Sequence, residues 1–399
     1  MIKCRHCSEK LEYQIIDLGN QPPSNNYLAP TQLHKQEITY PLVLFLCKKC
    51  GLVQLPETLK PKELFTANYA YFSSTSDSWC KHAKEFVEQS VKELSLNKNS
   101  YVVEIASNDG YLLQYIHKKG IPCLGIEPTS ATAKEAKNKG IDTIEKFFGS
   151  NLASSLKKAD LVIANNVIAH VSDINDFVKG ISILLKKDGL ASIEFPHIFN
   201  LIKYNQFDTI YHEHYSYLSL ESFQKIALKS NLEIVNVEQL ETHGGSLRVW
   251  LSHKNRLSIN KNVKNILELE KEHKITKPEG YKSFTENVVK IKHNLIKYLI
   301  KAKEDNKLVI GYGAAAKGNT LLNYSGIKAD LLNFIVDKAK SKQGMFMPGS
   351  HIPIYDIKAI KEHQPDTLLV LPWNLIKEIQ TQQSNYKLVT AIPNLKIYE

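Results

Sequence analysis

Tyr101-Val-Val-Glu-Ile-Ala-Ser-Asn-Asp-Gly110 passes from an apolar run straight into small and polar turn residues. Such a run reads as a strand that hands over to a helix, and parallel sheets bind nucleotides at this kind of strand end. Outward from it, Cys123-Leu-Gly-Ile-Glu127, Asp160-Leu-Val-Ile-Ala164 and Gly189-Leu-Ala-Ser-Ile-Glu-Phe195 repeat the pattern with helical stretches between. Apolar strands alternating with helices predict an α/β fold built on a doubly wound parallel sheet. Just upstream, Trp79, Ala83, Phe86, Val87, Val91 and Leu94 recur at helical spacing, preceded by a polar-aromatic loop at 69–76.

Past residue 255 the alternation stops. Phe284, Val288, Ile291, Leu295 and Leu299 recur every three or four positions, predicting one long amphipathic helix that bridges two domains. A second alternating unit follows, through Lys307-Leu-Val-Ile-Gly-Tyr-Gly313, Leu332-Asn-Phe-Ile-Val-Asp337 and Asp366-Thr-Leu-Leu-Val-Leu371, and reads as a second Rossmann-like domain. The expected division is 1–60, 61–255, a helical linker at 256–305, and 306–399.

The first of these segments carries Cys4-Arg-His-Cys7 and Cys47-Lys-Lys-Cys50. Each CxxC turn brings two thiolates to one ion, and two such pairs complete the closed tetrahedron of a structural zinc site. The gap between the pairs is long, so the chain must loop out and return, with Gln21-Pro-Pro-Ser-Asn-Asn-Tyr27 read as that loop. With no export signal in view, disulfides are the weaker reading. Cys80 and Cys123 are expected to be buried thiols, and His6 serves the knuckle turn rather than the ion. A closed site of four cysteines holds structure and does no chemistry.

The chain has 399 residues, 43% hydrophobic content and a formal net charge of +10. No apolar run approaches the roughly 20 residues that span a bilayer, so a cytoplasmic protein that engages no membrane is expected. Lysines are scattered from end to end without a dense basic tract, and no nucleic-acid partner is expected. The charge suits a small polyanion.

At the end of the first strand, the backbone of Ala106, Asn108, Asp109 and Gly110, with Glu104 just before, would approach a cofactor closely. Ala106 stands where glycine is more usual. Glu127 ends the second strand, where a carboxylate can accept both ribose hydroxyl protons. These features alone leave a nicotinamide cofactor and S-adenosylmethionine open. The missing pyrophosphate cradle G-x-G-x-x-G argues against the first. Asn108-Asp109-Gly110 suits a cationic, amino-acid-bearing ligand, with Asp109 or its neighbours receiving the ammonium, and Asn165, Asn166 and His170 at the next strand end would lie over its methionyl side.

Phe207-Asp-Thr-Ile-Tyr211-His212-Glu213-His214-Tyr215-Ser216-Tyr217 gathers groups suited to acid–base work. A metal site is the rival, since His212 and His214 would share one face of a strand. Downstream, Thr242-His243-Gly-Gly-Ser-Leu-Arg248 offers close backbone approach, with His243 and Arg248 as candidate substrate contacts. Gly311-Tyr-Gly313-Ala-Ala-Ala-Lys317-Gly318-Asn319-Thr320 again opens a helix after a strand, and Lys317 and Asn319 could hold phosphate or carboxylate oxygens.

This ordered set, together with Lys342-Gln-Gly344 and Pro348-Gly-Ser-His351, resembles the S-adenosylmethionine-dependent sugar C-methyltransferases, over nearly the whole chain. The resemblance implies a zinc-binding module, a class I methyltransferase domain and a C-terminal Rossmann-like domain, with a nucleotide-linked 4-keto-deoxysugar held between them in a monomer. It implies methylation at C3 through an enolate, with His214 as base, Glu213 as its orienter or a sugar-hydroxyl contact, and Tyr211 polarising the carbonyl. His170 and Tyr71 match positions near the sugar. Methyl transfer to oxygen or nitrogen, and a zinc-dependent nucleic-acid-binding module, are the competing expectations.

Overall fold

The computed structural model describes residues 2–64 and 72–399. Near the N-terminus, β1 (Tyr13–Gln21), β2 (Tyr40–Leu46) and β3 (Val53–Gln54) form an antiparallel meander, in which β2 buries alternate residues and both residues of β3 are buried. The long gap between the two cysteine pairs therefore holds two strands, β1 and β2, with the 22–39 segment as their connection. The pairs meet because β1 and β2 run side by side: Cys4 and Cys50 Sγ lie 3.6 Å apart, and Cys7 and Cys47 Sγ 3.5 Å.

The central sheet contains β4 (Val102–Ile105), β5 (Cys123–Ile126), β6 (Thr143–Ile144), β7 (Ala159–Asn165) and β8 (Leu185–Pro196), all parallel. The chain then departs to β9 (Ser216–Tyr217), which pairs with β3 and so completes the zinc-side sheet. It returns as β10 (Leu232–Leu240) and β11 (Ser246–His253), an antiparallel pair added to the free side of β8. The resulting order is β10-β11-β8-β7-β4-β5-β6. β4 has β5 on one side and β7 on the other, so the chain winds outward in both directions from it. The crevice over the carboxyl ends of β4 and β7 is the switch point where open α/β sheets bind ligands.

The helix Asp77–Glu93 buries Ala83, Phe86 and Val87 as its spacing predicts, and Ser76 caps it by accepting from the Trp79 amide. The linker is two helices, Lys261–Glu272 and Phe284–Glu304, joined through a turn at Pro278–Tyr281. Val288, Ile291, Leu295 and Leu299 of the longer helix are buried in one core with Ile15 and Leu44 from the zinc side and Val309 and Leu369 from the C-terminal side. One face of that helix is thus packed between the zinc side and the C-terminal side, while the opposite face, with Glu286, Lys290, Lys297 and Lys301, is exposed. β12 (Val309–Tyr312), β13 (Ile335–Val336), β14 (Ile354–Tyr355), β15 (Thr367–Val370), β16 (Lys387–Thr390) and β17 (Lys396–Tyr398) make the last sheet, in the order β14-β13-β12-β15-β16-β17. Only β17 is antiparallel to its neighbour. Three of its strands were legible in the sequence; β14, β16 and β17 were not. Among the described residues, no helix is long and apolar enough to cross a membrane.

Candidate active site

A cavity of about 920 Å³ opens over the ends of β4, β5, β7 and β8. Its walls come from all three parts of the chain: Asn25 and Glu57, then the crevice itself, then Ala315, Lys317, Lys342 and Asn374.

On the cofactor side, the chain after β4 turns through left-handed backbone at Ala106 (φ 57°) and Asn108 (φ 49°). A glycine would take the first more easily, and alanine there stores on the order of 1 kcal/mol of strain. Glu127 is fixed at the end of β5: its Oε2 accepts from the Asn108 amide at 3.0 Å and its Oε1 from the Thr129 amide at 2.9 Å. Burial raises its pKa, while the Thr129 and Asn108 donors act against that. Asn165 and Asn166 line the same wall, and Asn165 Oδ1 and both amide atoms of Asn166 are buried with no hydrogen-bond partner among the described residues. Buried polar atoms left open in this way call for a ligand.

Glu104, Asp109 and Gly110 do not line the cavity. Glu104 lies inside β4, where burial first, then Asp109 and Glu127, push its pKa well above the usual carboxylate range. Asp109, read as an ammonium acceptor, instead accepts from Ser74 and pairs with Lys139 at 3.2 Å, its side chain 1% exposed. It ties the 72–76 segment to the cofactor turn, assisted by Asn108 Oδ1, which accepts from the Ser73 amide at 2.9 Å.

The 211–217 segment is no regular strand until Ser216, so His212 and His214 do not share a face. His212 turns to Tyr40, whose carbonyl accepts from Nε2 at 3.2 Å. Among the described residues the four N-terminal cysteines are the one group placed to hold a metal ion. The metal reading of this segment fails for that reason. His214 Nδ1 donates to the Thr209 carbonyl at 3.0 Å, which fixes the tautomer and leaves Nε2 to accept from the Tyr211 hydroxyl at 2.9 Å. His170 Nδ1 donates to the Glu213 carbonyl at 2.9 Å, and the two histidine rings stand 4.7 Å apart. Burial lowers both histidines, His170 to about 4 and His214 well below its ordinary value, so each is neutral at pH 7. Glu213 Oε1 accepts from Asn25 Nδ2 at 2.7 Å. Tyr71 lies outside the described residues.

The third wall holds His243, which meets the Trp79 ring edge-on at 5.0 Å, and Lys317, whose Nζ donates to Asn374 Oδ1 at 2.7 Å beneath the Trp373 ring. Burial lowers the Lys317 pKa, and nearby Asp208, itself raised by burial to about 6, opposes that. Arg248 is no anion contact. It lies outside the cavity and is spent on Glu194, at 2.7 Å from Nε, and on Glu238, at 3.1 Å from Nη1. Asn319 is also off the cavity wall, wholly buried in the first turn of the helix Ala316–Ser325. Asn25, Trp79 and Asn374 are wall residues that sequence reasoning missed. In the sequence Asn25 sits in a loop and Trp79 on a helix face, and nothing in the run around Asn374 marks it.

The cysteine cluster has the dimensions of a zinc site. With zinc–sulfur bonds of about 2.3 Å, a regular tetrahedron has sulfur–sulfur edges of roughly 3.8 Å, close to the two separations above. Gln54 Nε2 donates to Cys4 Sγ at 3.1 Å, as a neighbour of a thiolate ligand should. His6 is bonded to Asn175 Oδ1 at 2.8 Å and is no ligand. Cys80 and Cys123 are only partly buried and stand apart from the cluster.

Comparison with known proteins agrees with this construction. Family models described as "Putative zinc binding domain", "Methyltransferase domain" and "C-methyltransferase C-terminal domain" match residues 4–65, 79–237 and 241–393. The C-methyltransferase NovU of Streptomyces niveus is 31% identical over 409 aligned positions, covering 99% of this chain and 96% of its own. The chain belongs to the C-methyltransferase family. A methyltransferase of Clostridium acetobutylicum, at 13% identity, covers 45% of this chain and 93% of its own with a TM-score of 0.36. The Synechocystis magnesium protoporphyrin IX methyltransferase, solved with S-adenosylmethionine bound, is 15% identical over 45% of this chain and 82% of its own, with a TM-score of 0.35.

As a C-methyltransferase the protein is an enzyme that uses S-adenosylmethionine, and its four cysteines form a zinc-binding site. Its central sheet has the class I methyltransferase arrangement, five parallel strands followed by an antiparallel pair. Glu127 offers a fixed carboxylate, and Asn165 and Asn166 offer buried polar atoms with no partner among the described residues, which such a cofactor would satisfy.

Proposed function

We propose that this C-methyltransferase acts on C3 of a nucleotide-linked 4-keto-deoxysugar, through an enolate. The observation that carries the reading is the Tyr211–His214 pair, a neutral imidazole with its lone pair on a tyrosine hydroxyl in the wall of a cavity large enough for cofactor and sugar together.

A hydrogen on carbon next to a ketone is acidic because the carbonyl oxygen can take the electron pair. Removing it calls for a base in its neutral form beside that carbon. Fixed by the Thr209 carbonyl, His214 Nε2 can only accept, and the proton it can take is the one on Tyr211. The sugar C3 proton passes to the Tyr211 oxygen as the Tyr211 proton passes to His214, and the C–H electron pair becomes the enolate. Burial makes His214 a weak base toward water, yet an imidazolium formed beside an enolate is one member of an ion pair. Lys317 lines the same wall and adds positive charge for the developing oxyanion. His170, with Nδ1 donating to the Glu213 carbonyl, has Nε2 as its acceptor nitrogen for a sugar hydroxyl. Glu213, steadied by Asn25, accepts a second. S-adenosylmethionine, when bound, supplies the electrophilic methyl.

The test is incubation with S-adenosylmethionine and a panel of nucleotide 4-keto-deoxysugars, reading the gain of one methyl by mass. Deuterium exchange at C3 in heavy water should proceed with the keto sugar. Absence of both, with the cofactor bound, would refute the substrate assignment.

A further inference from the structure

Arg5 is a knuckle residue between two zinc-site cysteines, yet its guanidinium is not at the surface. Nη1 donates to the Ser172 carbonyl at 3.1 Å, Nη2 donates to the Leu55 carbonyl, and the cation lies 5.2 Å from the centre of the Tyr215 ring. Ser172 is two residues after His170, in the same turn. Tyr215 directly follows His214. Leu55 in turn donates its amide to the Tyr215 carbonyl at 3.0 Å, beside the β3–β9 pairing. One rigid fork therefore holds, from behind, the two backbone turns that carry the facing histidines.

The fork itself is held at its base. The Arg5 amide donates to Gln54 Oε1 at 2.9 Å, and the same Gln54 side chain donates to Cys4 Sγ. Asn175 Nδ2 takes up the Arg5 and His6 carbonyls at 3.2 and 3.0 Å. A knuckle closed on its ion fixes the Arg5 backbone, and a planar guanidinium transmits that position to two places at once, which a flexible ammonium cannot.

We propose that Arg5 is a positioning residue for the methyl-transfer reaction, setting the 4.7 Å spacing of His170 and His214 from the zinc knuckle. The proposal rests on the reading of those histidines as the polar machinery of the site. It assigns the zinc module a part in the geometry of the reaction centre in addition to its part in folding.

The experiment uses the full-length, zinc-loaded enzyme and its Arg5→Gln and Arg5→Lys variants, with zinc content, cofactor affinity by calorimetry, kcat and KM, and long-range proton–nitrogen spectra of the histidines assigned with His170→Gln and His214→Gln. A reaction centre displaced by about 1 Å loses on the order of 100-fold in rate. Arg5→Gln is expected to keep its zinc and its cofactor affinity, to lose kcat on that scale with KM little changed, and to replace the fixed Nδ1–H tautomers by mixed ones. Arg5→Lys should recover part of both. Wild-type rate and spectra in a zinc-loaded Arg5→Gln would overturn the proposal, as would a rate loss matched by equal losses of zinc and cofactor affinity. Should Arg5→Gln fail to fold, Arg5→Lys carries the same test, with unchanged rate and spectra counting against. The spectra need no substrate, so inactivity of the wild type on every keto sugar refutes the substrate reading and leaves the test of Arg5 intact.

Discussion

Replacing Arg248 by methionine removes the one guanidinium that answers Glu194, whose side chain is wholly buried at the end of β8. With it go Nε and Nη2 to the same Glu194 oxygen, at 2.7 and 2.6 Å, Nη1 to Glu238 at 3.1 Å, Nη2 to His82 Nε2 at 3.4 Å, and the packing of the cation over the Phe86 ring at 4.6 Å. His82 would remain on Glu194, at 3.0 Å. Breaking a buried pair from one side costs about 3–5 kcal/mol, because the other charge stays behind. For a domain of this size that is roughly 6–20 °C in Tm, read by calorimetry. The cost should vary with pH in a definite direction. Burial pushes the Glu194 carboxyl up, but His82 and Arg248 more than offset it, so its folded pKa lies below 4.5. A depressed carboxylate stabilises the fold above its unfolded pKa and loses that contribution as pH falls. Without Arg248, burial regains the upper hand and the carboxyl takes up a proton more readily. The gap between variant and wild type should therefore be widest at neutral pH and narrow toward pH 4. A variant with wild-type Tm and a KM raised tenfold or more would refute the reasoning and restore Arg248 as a substrate contact.

Tyr211→Phe should leave cofactor affinity intact and lower kcat about 100-fold, within the range of a lost acid–base group, as read by single-turnover kinetics; a rate near wild type would remove Tyr211 from the proton path. Because both histidines are already neutral, kcat should be level from pH 6 to 8 and fall only as pH approaches the value of about 4 for His170; a midpoint near 6.5 would show a histidine titrating normally. Glu127→Ala should weaken cofactor binding by about 1.5–3 kcal/mol, the worth of hydrogen bonds to a charged group, as measured by calorimetry, while zinc content stays fixed. Removing zinc with a chelator should unfold the N-terminal module and weaken substrate binding, with cofactor affinity falling much less; equal losses of both would place the cofactor wall under zinc control as well.

The periodicity of apolar residues was enough to define the central sheet, because parallel strands buried on both faces read as unbroken runs, and β4, β5, β7 and β8 all do. The strands missed are short or antiparallel: β6 and β14 have two residues each, β16 has four, and the added pair β10 and β11 carries polar residues that pair off inside the fold. Tyr211, Glu213 and His214 were legible as a cluster. Arg248 and Asp109 misled because a charged residue in a glycine-rich or cofactor-like motif reads as a ligand contact until its partner is seen, and Glu194 is 54 positions from Arg248 and Lys139 is 30 from Asp109.

The sequence by itself determined the kinds of parts: a four-thiolate site from two CxxC turns, a cofactor crevice from strands ending in small and polar residues, and a second sheet of the same build. Each is a local property, set by spacing and periodicity. Only the tertiary structure decided how they act on one another. β9 crosses from the methyltransferase domain to complete the zinc-side sheet, and Arg5 reaches behind both histidine turns. The tautomers of His170 and His214 are fixed by two backbone carbonyls. Arg5 alone joins a backbone carbonyl 167 positions away and a ring 210 positions away, and a backbone carbonyl carries no signature in the side chains that a sequence records.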